Sequence, residues 1–153
     1  MTKRPVPRVY IDTNVLIYIV EGIEPFRSQL GLLVEALDAG GLQGVTSDLT
    51  IAEVMVKPFA KKDQRYITEY SRLLSGASML EMRSVDRTVL EHSAKLRAEI
   101  GGKLADGIHV ATAELAGCSH LVSEDSGIKV PEGMALIKVR EIPAMLASLQ
   151  STA

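Results

Sequence analysis

A single cysteine, Cys118, stands among 153 residues, which excludes an internal disulfide and a cysteine-based metal knuckle. No apolar run approaches the ~18 residues that a membrane span requires. Basic excess is missing too: the net charge is −2, unlike a domain that grips nucleic acid through bulk electrostatics, although an enzyme can still hold nucleic acid locally. Repeats, low-complexity tracts and Pro/Gly/Ser linkers are absent, so one domain over residues 1–153 is expected. The charged stretch Met1 to Pro5 is followed by no apolar segment of signal type before Asp12. These absences predict a globular protein of the cytoplasm with no membrane partner.

What is present begins with Val9-Tyr10-Ile11-Asp12-Thr13-Asn14-Val15-Leu16-Ile17. Apolar, β-prone residues run into an acid and a second apolar run follows. Continuous apolar character reads as a strand of a parallel sheet buried on both faces. Asp12 then falls at the strand's end, where a buried charge costs several kcal/mol unless something, commonly a cation, compensates it.

Along the chain, the pattern predicts strands near residues 8–12, 43–46, 78–83, 120–123 and 135–139. Helices are expected over 14–19, 26–39, 48–56, 61–74, 86–100, 104–116 and 143–149. Lys57-Pro58 is read as closing the helix from Asp48, and Asp86 as capping the helix that ends at Gly101-Gly102. The alternation points to a three-layer α/β/α fold with a mainly parallel sheet.

Each acid has a plain structural reading when taken alone. Asp12 fits an Asx-turn or cap, Glu53 a capping box with Thr50, Asp106 a simple cap and Asp125 a turn with Gly127. Together they read otherwise. Asp12 and Asp125 follow strands, Glu53 lies a turn into the helix after the second strand, and Asp106 begins a helix leading to the strand before Asp125. The carboxyl edge of a parallel sheet is where ligands bind. Converging acids raise one another's pKa unless a cation neutralises them. Oxygen ligands without cysteine or paired histidines suit Mg²⁺ or Mn²⁺ rather than Zn²⁺.

Four segments carry a family resemblance: Tyr10 to Leu16, Thr46-Ser47 with Ile51 to Val54, Leu104 to Ala113, and Leu121 to Asp125. In this order and spacing the chain resembles PIN-domain ribonucleases, and more narrowly the VapC-type toxins of toxin–antitoxin pairs. The resemblance implies that Asp12, Glu53, Asp106 and Asp125 hold the metal, with Asn14 and Ser123 ordering the site. It also implies structured RNA as substrate, products with a 5′-phosphate and a 3′-hydroxyl, a homodimer, and a cognate antitoxin. Gly107 departs from the family's usual alanine, and Glu124 adjoins Asp125, which holds the family's position.

The chemistry expected is metal-assisted hydrolysis of RNA phosphodiester bonds. Glu53 either ligates the metal or accepts a proton from the attacking water. Lys57, Lys61, Lys62, Arg65, Arg97 and Lys103 are solvated surface charges or phosphate contacts. Leu16, Ile17, Ile19, Val20 and Ile23 are core or a groove for a partner helix. His109, three residues after Asp106, is a packed core histidine or a residue at the site's edge. Two rival functions are a Mg²⁺-binding flavodoxin-like phospho-acceptor, for which Lys138 is loosely placed, and a catalytically silent PIN-like binding module.

Overall fold

The central strand β1 (Arg8–Ile11) shows why the sheet must be covered on both sides. Val9, Tyr10 and Ile11 are all completely buried, yet successive side chains point to opposite faces. Val9 and Ile11 enter one core and Tyr10 another. The computed structural model describes residues 5–151, so of the N-terminal stretch read above only Pro5 lies among the described residues.

Five strands form one sheet in the order β3-β2-β1-β4-β5, with β2 at Gln43–Ser47, β3 at Leu80–Arg83, β4 at His120–Val122 and β5 at Ala135–Ile137. Every pairing is parallel. Tyr10 stands opposite Val45 on one side and Leu121 on the other. The strand order reverses at β1, and crevices at the carboxyl ends of parallel strands open at such reversals.

Eight helices are described: α1 (Thr13–Glu21), α2 (Arg27–Asp38), α3 (Leu49–Val54), α4 (Val56–Lys61), α5 (Gln64–Leu73), α6 (Arg87–Ile100), α7 (Leu104–Leu115) and α8 (Ile142–Ser151). A 3₁₀ turn over Val139–Glu141 precedes α8. Leu16, Leu33, Tyr70 and Met145 pack with Val9 and Ile11 on one face. Val89, Leu96, Ile108 and Ala111 pack with Tyr10, Val45 and Leu121 on the other. The three-layer α/β/α architecture read from the sequence is the one observed.

Gly44 shows how tightly the first face is filled. A β-carbon there would lie 2.9 Å from Leu80 Cδ2 and 3.0 Å from Leu37 Cδ2. The main departure from expectation lies between β2 and β3. Lys57-Pro58 does not close the helix from Asp48, because α3 ends at Val54 and Pro58 lies in the first turn of α4. A proline is tolerated there since first-turn N–H groups lack intrahelical acceptors anyway. Lys62, with φ +52°, ends α4, and the Asp63 side chain then accepts from Tyr66 N–H to cap α5. The helix expected from Lys61 therefore begins at Gln64.

The apolar run beside Asp12 divides as well. Val15 and Leu16 are fully buried core, while Ile17, Ile19 and Val20 pack only partly and Ile23 is 39% exposed. No described helix is long and apolar enough to cross a membrane.

Candidate active site

Asp12 ends β1 and caps α1. Its backbone N–H continues the ladder to Val122 O at 3.0 Å, and its Oδ1 accepts from Thr13 N–H at 2.8 Å. The carboxylate is 5% exposed, so its charge needs partners. Ser123, just past β4, donates from Oγ to Asp12 Oδ2 at 2.6 Å. Asn14 Nδ2 lies 3.3 Å from both Asp12 Oδ2 and Ser123 Oγ, while its Oδ1 accepts from Glu124 N–H at 3.2 Å. Asn14 and Ser123 thus clamp the end of β1 to the end of β4.

The next two residues along the chain part company. Glu124 Oε1 accepts from Val139 N–H at 2.6 Å, so this carboxylate is tied to the 3₁₀ turn before α8. Asp125 N–H donates to Ser123 Oγ at 3.0 Å, and Asp125 Oδ1 accepts from Gly127 N–H at 2.8 Å. The turn chemistry legible in Asp125-Ser126-Gly127 is therefore real, and it fixes the carboxylate beside the clamp.

Asp106 lies in the first turn of α7 and makes no capping bond. Burial pushes its pKa above the ordinary Asp value, and the charges of Asp125 and Asp12 push the same way against His109 and Lys103. Asp12, Asp106 and Asp125 therefore share one electrostatic environment. Gly107, the departure from the family's alanine, has a steric reason: a β-carbon would sit 2.6 Å from Arg97 Cδ, whose stem fills that space.

Glu53 does not cap its own helix. Thr50 lies inside α3 rather than at its N-cap, and Glu53 Oε1 accepts from Thr13 Oγ1–H at 2.8 Å. The same oxygen lies 2.6 Å from His109 Nε2, and that nitrogen is 3.8 Å from Asp12 Oδ1. Burial works to raise the Glu53 pKa, but His109 and Thr13 outweigh it and leave the carboxyl below its ordinary value.

His109 and its partners are the part that sequence reading left open. The ring is 1% exposed, with Nδ1 2.5 Å from the Tyr10 hydroxyl and the rings edge to face. Thr13 Oγ1 also lies 3.0 Å from Thr50 Oγ1, which is 3.3 Å from Thr46 Oγ1. The signal available beforehand was a lone imidazole inside the otherwise apolar Ile108–Ala111 segment, near Asp106. A strand tyrosine and three threonines carried no such mark.

All the strong donors here are hard oxygens, which fit Mg²⁺ or Mn²⁺. Among the described residues no three His, Cys, Asp or Glu side chains form a ready-made cage.

The comparisons follow the same line. No curated protein matches the sequence. Among solved structures, the chain is similar to a toxin–antitoxin complex from Klebsiella pneumoniae at 26% identity and TM-score 0.61, covering 86% of this chain and 97% of that one. VapBC2 from Rickettsia felis, bound to a promoter DNA fragment, aligns at 17% identity and TM-score 0.65, covering 86% and 98%. FitAcB from Neisseria gonorrhoeae aligns at 19% identity and TM-score 0.64, with the same coverage. The PIN domain family model matches residues 9–133, a span that holds every acid described above, and the chain belongs to the PIN domain family.

Proposed function

We propose that this protein is a divalent-metal-dependent ribonuclease, the toxin of a toxin–antitoxin pair. The observation that carries the reading is the clamp at the carboxyl edge of the sheet, where Ser123 Oγ bonds both Asp12 Oδ2 and the Asp125 N–H; burial, and then the charges of Asp125 and Asp12, raise the pKa of Asp106. Membership of the PIN domain family supports nuclease chemistry. The toxin–antitoxin complex among the similar structures supports a protein partner. A cleft of about 460 Å³ lined by Tyr18, Ile19, Leu30 and Tyr66 together with Glu21, Arg27 and Arg65 suits an amphipathic helix of that partner.

Asp12, Asp106 and Asp125 are the residues that would hold Mg²⁺ or Mn²⁺. When bound, the ion polarises the attacking water and offsets charge on the phosphate oxygens. Ser123, Asn14 and the Thr13 N–H keep Asp12 in place. Glu53 has its Oε1 occupied by Thr13 and His109, which leaves Oε2 to ligate or to take the water's proton. Water oxygen bonds to phosphorus as its proton passes to Glu53 or to solvent, the P–O3′ bond breaks, and the 3′ oxygen takes a proton from solvent and leaves as a hydroxyl.

The flavodoxin-like phospho-acceptor fits less well. Lys138 Nζ is engaged with Glu124 O at 3.0 Å, and the strand order observed differs from the 2-1-3-4-5 of flavodoxin-like sheets. The test is cleavage of RNA by the full chain. Cleavage is expected with Mg²⁺ or Mn²⁺, and none with a chelator or in Asp106→Asn. Undiminished cleavage by folded Asp106→Asn overturns the site, and a wild-type protein that binds Mn²⁺ yet cuts no RNA is a silent binding module.

A further inference from the structure

We propose that His109 is a positioning residue: braced at Nδ1 by the Tyr10 hydroxyl, it donates from Nε2 to Glu53 and holds that carboxylate at the edge of the acid cluster. What Glu53 then does rests on the nuclease reading above, but the hydrogen-bond chain stands apart from it. Tyr10 is completely buried, and its hydroxyl meets His109 Nδ1 at 2.5 Å. A phenolic hydroxyl donates or accepts, so it partners Nδ1 whether or not that nitrogen carries a proton. An ionised carboxylate only accepts, so Nε2, 2.6 Å from Glu53 Oε1, is the donor.

The arrangement matters because of where Glu53 sits. It lies on α3, a helix of six residues, and its side chain is 34% exposed. Packing alone does not choose among its rotamers. The donors Thr13 from α1 and His109 from α7 both close on Oε1. Tyr10 links them to the central strand, so three elements around α3 set the direction of one carboxylate. A packed histidine with no part in the chemistry would need no short bond to Glu53.

The first measurement is ¹⁵N NMR of the full-length protein labelled in histidine, with the His109 resonances assigned by their loss in His109→Gln. The expected pattern is a protonated Nε2 whose resonance moves in Glu53→Ala. A bare Nε2, or one unmoved in Glu53→Ala, overturns the proposal. The second is RNA cleavage. His109→Leu is expected to lower kcat by roughly 10- to 100-fold with little change in KM, the range typical of supporting hydrogen-bond partners. His109→Gln, which restores a side-chain N–H, recovers much of that loss. Equal kcat in Leu and wild type, or no gain in Gln over Leu, refutes the positioning role. Should Leu fail to fold, the Nε2 proton and the Gln variant decide. If wild type cuts no RNA, the nuclease reading falls and the Nε2 measurement alone judges the hydrogen bond.

Discussion

Asp106 is strained by its company in the metal-free protein. Burial and the charges of Asp125 and Asp12 raise its folded pKa above the unfolded value, so the folded state binds that proton more tightly. Stability contributed by this group therefore falls as pH rises from the unfolded pKa through the folded one, and the loss is complete above it. Asp106→Asn removes the charge. Thermal melts at pH 7 without metal should place the variant above wild type, and the gap should narrow on acidification into the ordinary Asp range. Mn²⁺ should raise the wild-type Tm more than the variant's, and identical shifts would speak against Asp106 as a ligand. Cys118 makes a contrasting case. Burial lifts its thiol to about 11, so too little thiolate exists for alkylation. Mass measurement after iodoacetamide at pH 8 should find native Cys118 unmodified and denatured Cys118 fully modified.

Among the elements, α6 was the most legible and the α3–α4 segment the least. Asp86 lies one residue before Arg87, and its Oδ1 accepts from Val89 N–H at 2.9 Å, the cap its sequence position announces. Asp86→Ala should lower unfolding free energy by about 0.5–2 kcal/mol with an unchanged m-value. Urea titration checks this, and a neutral result would mean the cap is replaced by water. Around Pro58 the same kind of reading misled, because proline marks both the stop of one helix and the first turn of another. The disambiguating signal was Lys62-Asp63 downstream, where a left-handed residue and a cap separate α4 from α5.

The whole molecule is two cores on one sheet, joined through strands that contribute to both. Leu121 belongs to the core containing Tyr10, whereas its neighbour Val122 belongs to the other. Leu121→Ala removes side-chain volume at a fully buried central position and should cost about 2–5 kcal/mol. The same face carries Tyr10 and α7, so hydrogen exchange at His109 and Asp106 should quicken together with the loss. A destabilised variant with unaltered exchange there would show that the site is braced by the opposite core instead.

Local chemistry decided much in advance: apolar runs specified buried parallel strands, glycines ended helices, and acids at strand ends marked the carboxyl edge. Those features depend on neighbours in the chain, so sequence carries them. It did not determine that Glu53 turns away from its own helix toward Thr13 and His109, nor that Glu124 leaves the edge for Val139. Each of those bonds joins residues between 15 and 56 positions apart. Only the order of strands around β1 places such partners within reach, since a side chain's direction follows from the donors folded against it.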